Sequence, residues 1–520
     1  DIVGGLNNTE SAGCVFIGGG TNNTVSAYGS IVVGGEKNKA TSGCDVVVGG
    51  LLNTASGGFS FVGGGQSNSN SGYYSFIGGG YNNTLVSNRN AIIVGGSANT
   101  ISGGYSNHII LGGSNNTLSN YASSLIGGGS TNTISGNYSS NHTILHGFCN
   151  SISGDYNQYS TIINGYRNKI DDANHSFIGA GTRNTASADY SFIGGGCCNK
   201  TTAANSSIVG GTLNTASAAC SFIGGGSCNQ TTAMLSSVVG GTLNTASGAC
   251  SFIGGGCCNK TFAIHSSLVG GCLNGQYGSC GFIGGGFQNT SSGRFTNIVG
   301  GSSNFINAEG IGDCSSIVGG ANNTIGGLLN FIGGGVNNSS SADLTSIVGG
   351  ILNTASGACS FIGGGETNYI RDFRSSIVGG CDNFIEASGK GGQFIGGGEG
   401  NISENFWSSI VGGFSNCVYS TTSIIGGGEN NSIGVSGGVI SPQNSFIGGG
   451  ISNCIGKGGD NSGILGGNSN CIDDHANSFI VGSNIISHAA CTTHINNLTV
   501  SGSSGGGAGS SVVIMRGLPT

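Results

Sequence analysis

Ser191-Phe192-Ile193-Gly194-Gly195-Gly196-Cys197-Cys198-Asn199 is followed at once, one period on, by Ser206-Ser207-Ile208-Val209-Gly210-Gly211-Thr212-Leu213-Asn214. The same phrase then closes on Asn229, Asn244, Asn259, Asn274, Asn289 and Asn304, fifteen residues apart each time. Nearer the start, Asn23, Asn38, Asn53, Asn68 and Asn83 keep the same interval. Insertions stretch it to sixteen to eighteen between Asn83 and Asn184, to nineteen before Asn323 and to twenty-two before Asn453. A short constant period without helical breaks marks stacked, near-identical units rather than a globular domain. It overrides the three or four domains that a chain of 520 residues would otherwise suggest.

Each copy translates into geometry. Ser-x-Ile-x-Gly-Gly alternates sides and is rich in Ile, Val and Phe, so it reads as a short strand. Gly-Gly-x-x-Asn supplies residues that tolerate positive φ at a tight corner. A second short strand follows as Asn-Thr-Ala-Ser, at 53–56, 184–187, 214–217, 244–247 and 353–356. Its middle position is Ala or Ile (Ile101, Ile134, Ile152), which should point inward while Thr and Ser point out. Two strands and two corners are the content of one coil of a narrow solenoid. Two prolines and 109 glycines suit tight coils, and the lack of a running Gly-X-Y triplet excludes collagen. The expected fold is all-β: a parallel β-solenoid or β-roll of about thirty 15-residue coils over 1–485, with a thirty-residue turn as the alternative.

Two sets of residues carry the expected packing. The corner asparagines, among them Asn23, Asn38, Asn53, Asn68, Asn184, Asn199, Asn214, Asn229, Asn244 and Asn259, should stack about 4.8 Å apart and hydrogen-bond along a column. The second set changes in concert. Phe seven before the Asn goes with Gly five before it, as in Phe192 with Gly194, Phe222 with Gly224, Phe252 with Gly254 and Phe361 with Gly363. Ser at the first position goes with Val at the second, as in Ser207 with Val209, Ser237 with Val239, Ser346 with Val348 and Ser376 with Val378. The two positions share one face of a strand, opposite the Ile between them. A trade of large for small conserves volume, which matters in a close-packed interior. Both faces of this strand are therefore expected to be buried, the second one against neighbouring chains of a parallel homotrimer or a second wall of the same chain, with Ser coils relieving the crowding of stacked Phe.

Ser207-Ile208-Val209-Gly210-Gly211 followed by Asn214-Thr215-Ala216-Ser217 resembles the Ser-Val-Ala-Ile-Gly-x-x-Ala-x-Ala-x-Gly repeat of YadA-like trimeric autotransporter heads, which are left-handed parallel β-rolls. The Ile-Gly-Gly-Gly-x-x-Asn-Thr-Ala-Ser-Gly runs are similar to those of bacteriophage and large-virus fibre proteins. The resemblance covers roughly 2–484. The chain departs from the autotransporter pattern in its longer period, its corner Asn and its many cysteines. The resemblance implies a homotrimer and a role in host attachment; periodicity alone implies only a rod.

Beyond about residue 484 the repeat dissolves. The segment 486–520 reads as a strand near His494 to Val500, a Gly/Ser-rich link over 501–511 and a short tail, leading to a further C-terminal region. The chain also opens in mid-phrase at Asp1, so it reads as part of a longer protein.

Chemistry is sparse. Charged residues are 7 % and the formal net charge is −7, which supplies neither a basic face for nucleic acid nor a polybasic membrane patch. No apolar run approaches the roughly 20 residues that span a bilayer. Neither nucleic acid nor a membrane interior is an expected partner. The nineteen cysteines lack paired zinc spacing and occupy repeat columns: nine before the Asn at Cys14, Cys44, Cys220, Cys250, Cys280, Cys314 and Cys359, or directly before it at Cys198, Cys228 and Cys258. They read as small apolar residues tolerated in a stack, with cross-links between coils or chains as the alternative; with fifteen residues per turn Cys220, Cys250 and Cys280 lie two coils apart, too far for a disulfide. The eight histidines are scattered, His142 and His146 being no ligand pair on a strand, and Asp171-Asp172 and Asp473-Asp474 are isolated corners. No catalytic residue, metal ligand or cofactor is expected, and the protein is expected not to be an enzyme. Asn-x-Thr/Ser triplets match the glycosylation pattern but belong to the repeat itself.

The function expected is a structural fibre or shaft, a viral tail or capsid fibre or a cell-surface adhesin, on a virion or outside the cell. It would project an end that meets a host receptor or glycan. The competing class is a solenoid whose outward Thr and Ser ladders (Thr54 and Ser56, Thr215 and Ser217) bind ice or polysaccharide; Lys39, Lys169, Lys200, Lys260, Tyr369 and Phe384 interrupt that plane.

Overall fold

A computed structural model describes residues 1–86, 88–103, 107–307, 314–387, 389, 391–437 and 442–496. The chain divides into two compact units, Asp1–His265 and a second beginning at Ser266. Each is a stack of parallel strands, most of them two residues long, and no helix occurs among the described residues. Among the described residues there are about 31 turns of about 15 residues. Strand register decides the size of the turn. In the first unit Thr24 pairs with Lys39 and Lys39 with Thr54; in the second Ser339 pairs with Thr354 and Thr354 with Tyr369. Every partner lies one copy away, so the thirty-residue turn is excluded.

Besides the two strands foreseen per copy, a third column of single paired residues runs two positions before each Asn, as in Thr182, Cys197, Thr212 and Ser227. The backbone donors explain how the corners close. Strand N–H groups donate forward, Thr215 to the Asn229 carbonyl at 2.9 Å and Phe222 to that of Ser236 at 3.0 Å. Corner N–H groups donate backward, Leu213 to the Cys197 carbonyl at 2.9 Å and Cys220 to that of Ala204 at 3.0 Å. The reversal needs left-handed backbone, and Leu213 and Cys220 have φ of 58° and 56°. That region costs a residue with a Cβ roughly 1–2 kcal/mol, and persists because hydrogen bonds on both sides over-determine it. One position per copy admits only glycine: Gly226 has φ of +84°, and a Cβ there would stand 2.0 Å from the Gly241 carbonyl oxygen. Its neighbour Gly225 has nothing within 4 Å of the same point.

In each unit the interior is a narrow column. Ile or Val of the first strand and Ala, Ile or Thr of the second fill it, together with the corner Asn and a Ser eight before it; Ile223, Thr231 and Asn229 are fully buried and Ser221 nearly so. Ile101, Ile134 and Ile152 point inward as expected. In the coils of Phe222 and Phe252 the second strand places Thr inside, and its hydroxyl donates to that Ser: Thr231 Oγ1 to Ser221 Oγ at 2.9 Å, Thr261 Oγ1 to Ser251 Oγ at 3.0 Å.

The compensating pair is not buried within the single chain, and the fifteen-residue turn removes the second wall of the same chain as its expected cover, leaving the neighbouring chains of a homotrimer. Phe192, Phe222 and Phe361 are each 37 % exposed and Phe252 38 %, all on the outer face. The accompanying glycine answers first to the backbone: a Cβ on Gly224 would meet the Val239 carbonyl oxygen at 2.4 Å and the Phe222 ring only at 3.4 Å, and Gly194 and Gly363 repeat the arrangement. The glycine is thus tied to the backbone of the next coil as well as to the ring. Stacked Phe does not crowd, since Phe61 and Phe76 on adjacent coils stack with centroids 5.1 Å apart. Near the end, Thr493–Ile495 forms a strand parallel to Phe479–Val481; the rest of the expected C-terminal strand and the Gly/Ser link lie outside the described residues.

Candidate functional site

The asparagine column is built alike along both units. Asn229 Nδ2 donates to the carbonyl of Gly225 in its own copy at 2.8 Å and to that of Gly241 in the next at 2.9 Å. Its Oδ1 accepts the backbone N–H of Asn244 at 3.0 Å. One amide side chain therefore engages three backbone groups at the corner, of which the Gly241 carbonyl also accepts the Ser227 N–H at 2.9 Å, and its own hydrogen-bonding capacity lies inside. Asn23, Asn38, Asn53, Asn68, Asn184, Asn199, Asn214, Asn244 and Asn259 stand in the same column, buried. The bonds run chiefly from side chain to backbone; side chains also bond directly at some steps, as from Asn68 to Asn53. This column holds the coil together and presents nothing to a ligand.

The surface that could meet a partner is the outer face of the first strand. In the first unit Phe222 and Phe252 alternate there with Val209, 50 % exposed, and Val239, 48 % exposed. In the second, Phe331 and Phe361 alternate with Val348 and Val378. The Thr face is broken, as Lys200, Gln230 and Lys260 alternate with Thr215 and Thr245 along one register.

Other chemistry stays dispersed. Among the described residues no three His, Cys, Asp or Glu side chains converge as for a metal ion. A cleft of about 340 Å³ beside Tyr121 and Tyr138 has no carboxylate, histidine or cysteine in its lining. His108 and His142 do not sit at the surface but replace the buried Ser, and burial pushes each imidazole down to about 4. His142 Nδ1 accepts the Ser160 N–H at 3.2 Å, while its Nε2 and both nitrogens of His108 stand outside hydrogen-bonding geometry. Asp45 takes the same position with its carboxylate satisfied by the N–H groups of Ser42, Gly58 and Ser60 and the Ser60 hydroxyl.

The cysteines are free thiols. Cys220 and Cys250 stand two coils apart with Leu235 between, as the period requires. Two pairs sit side by side in sequence at corners, with Sγ atoms 3.1 Å apart in Cys197-Cys198 and 3.2 Å in Cys257-Cys258. A further pair escaped the reading by period: Cys454 and Cys471 both follow a corner Asn directly, in the Thr position, and register across adjacent coils. The signal was there in the column, hidden by a copy of seventeen residues.

No protein-family model matches the chain, and neither does any curated protein.

Proposed function

We propose that the chain is a structural shaft whose copies associate in parallel as a homotrimer, within a viral fibre or a cell-surface adhesin that carries a host-attachment end. The supporting observation is the outward Phe/Val stripe, repeated in each unit. Isolated exposed apolar residues are ordinary, but a continuous uncharged stripe on successive coils marks a surface of association. A second copy is the occupant that fits best, because the stripe alternates bulky and small residues: Phe222 beside Ser207 and Ser237 makes ridges and hollows with the same repeat on every copy. The interior asparagines spend their polar groups on the backbone, which fits a structural rather than a catalytic role. The resemblance to trimeric adhesin heads and virus fibres points the same way. The alternative, an ice- or polysaccharide-binding plane, fits less well with Lys or Gln on every second coil of the Thr face.

Sedimentation equilibrium tests the reading. A trimer is the expected mass, and replacing Phe222, Phe252, Val209 and Val239 together by Ser should give a folded species of lower mass. A monomer at every concentration, with the stripe intact, overturns it; suppression of ice growth by the purified protein would favour the alternative.

A further inference from the structure

Cys454 and Cys471 begin the strands Cys454–Ile455 and Cys471–Ile472, which pair in parallel with the two cysteines directly opposite. Adjacent coils of a parallel sheet place paired Cα atoms about 4.8 Å apart, inside the roughly 4.4–6.8 Å that a disulfide spans. The inward neighbours Ile455 and Ile472 are fully buried and fix the strands, so both sulfurs leave the same outer face, partly exposed. Cys417 lies in the same column, but Ser432 separates it from Cys454 by a full coil. Cys220 and Cys250 are similarly kept apart by the coil of Leu235. The 454/471 pair thus has a partner at bonding reach where those others have none.

We propose that Cys454 and Cys471 form a peroxide-sensitive modification site that closes into a disulfide between adjacent coils. The Cys471 thiol donates a hydrogen bond to the Cys454 sulfur and, with help from the Ser432 hydroxyl, brings Cys454 down to about 6 against the opposing effects of burial and Asp473. The Cys471 thiol is raised correspondingly. Cys454 is then the thiolate that attacks and Cys471 the thiol that resolves. In the first step the Cys454 thiolate attacks one oxygen of hydrogen peroxide; the O–O bond breaks, hydroxide leaves and Cys454 becomes a sulfenic acid. In the second, the Cys471 sulfur attacks the Cys454 sulfur, the S–O bond breaks, and the hydroxyl leaves as water with the Cys471 proton. Two electrons pass from the two thiols to one peroxide. The product is a covalent staple between neighbouring turns of the second unit, where hydrogen bonds alone had joined them.

The experiment uses the full chain under native conditions with a stoichiometric amount of hydrogen peroxide, followed by alkylation and non-reducing peptide mapping. The first cross-link to form should join Cys454 to Cys471. In Cys471→Ser, dimedone should trap Cys454 as the sulfenic acid; in Cys454→Ser, Cys471 should remain a thiol. Before oxidation, Cys454 should alkylate roughly threefold faster than an ordinary thiol at pH 7, the larger thiolate fraction being partly offset by lower nucleophilicity. Its rate should level off above about pH 7, whereas an ordinary thiol keeps accelerating to about pH 9. Ser already occupies this column at Ser432, so both variants should fold. Cross-links spread over many cysteines, or a Cys454 that gives no dimedone adduct in Cys471→Ser, overturn the proposal.

Discussion

Two stretches of the first unit run on the same corner but differ in what they tolerate. From Asn184 to Asn259 every copy has fifteen residues, Ser occupies the interior site before the first strand, and Ala or Thr fills the second strand. From Asn83 to Asn184 every copy is longer, and that interior site takes His108 or His142 in two coils. Buried polar atoms without partners stand here on Asn88, His108, Asn120 and His142, against the hydroxyls of Ser191 and Thr201 in the regular stretch. Yet Asn132 Oδ1 accepts the Asn150 N–H at 3.0 Å across eighteen residues, as Asn229 accepts that of Asn244 across fifteen. The extra residues enter at the corner after the second strand, where Thr133–Ser140 extends well beyond the usual two residues. The Gly-Gly-x-x-Asn corner sets the rise between coils; the opposite corner absorbs length.

The sharpest way to break this comparison is a Cβ at the corner. Gly226→Ala should cost more than about 4 kcal/mol, combining a left-handed φ with a clash against the next coil's carbonyl. Gly129→Ala should cost as much, since Gly129 has the same φ of +84° and its Cβ would stand 2.1 Å from the Gly147 oxygen. Gly225→Ala is the control and should shift chemical denaturation little. A Gly226→Ala protein as stable as Gly225→Ala would show that the corner is not what fixes the coil.

Asparagine removal comes next. Asn229→Ala orphans the carbonyl of Gly225 and the N–H of Asn244 and leaves the Gly241 carbonyl with the Ser227 N–H alone, and should destabilise by about 2 kcal/mol or more. Asn132→Ala, which has the same three partners in the longer coils, should lose a similar amount by the same measurement. A much smaller loss at Asn132 would mean that the longer coils are held by something other than this corner.

Acid should separate the two stretches. His108 and His142 are held near 4 by burial, below the ordinary value of about 6.5. The unfolded chain therefore binds protons that the folded chain refuses. Their contribution to stability is full above about pH 6.5 and declines as pH falls toward 4, by up to about 3 kcal/mol for each ring. Amide exchange, corrected for its intrinsic pH dependence, should report lost protection in the longer coils between pH 6.5 and 4.5 while 184–259 stays protected. His108→Ser with His142→Ser should abolish the difference.

The smallest effect is relief of strain. Leu243 has φ of 57° and is 51 % exposed; Leu243→Asn should stabilise by up to about 1 kcal/mol, because Asn accepts that region more readily. Thermal unfolding of the variant checks the sign.

These contrasts also explain what the sequence made legible. Period, coil composition and the buried Asn column follow directly from the repeat, because the same steric demand recurs at every turn. The outer face was legible only in part: Phe222 with Gly224 reads as traded volume, and the structure adds that the glycine also answers to a carbonyl of the next coil. Volume trading and backbone clearance leave the same trace in a sequence, and coordinates are needed to tell them apart. Cys454 and Cys471 were missed because their separation departs from the period, although their column does not. The interior histidines were missed because isolated residues carry no pattern, and only position relative to the following Asn places them.

The distance between labels on successive coils tests the central claim most directly. Lys200 and Lys260 are linked by four steps of register, and so are Thr100 and Lys169, with more chain between them. Spin labels introduced at each pair as unnatural amino acids should give the same separation, about 19 Å for four coils. A longer distance for Thr100 and Lys169 than for Lys200 and Lys260 would contradict the account, since it would mean that inserted residues lengthen the stack rather than leave at one corner.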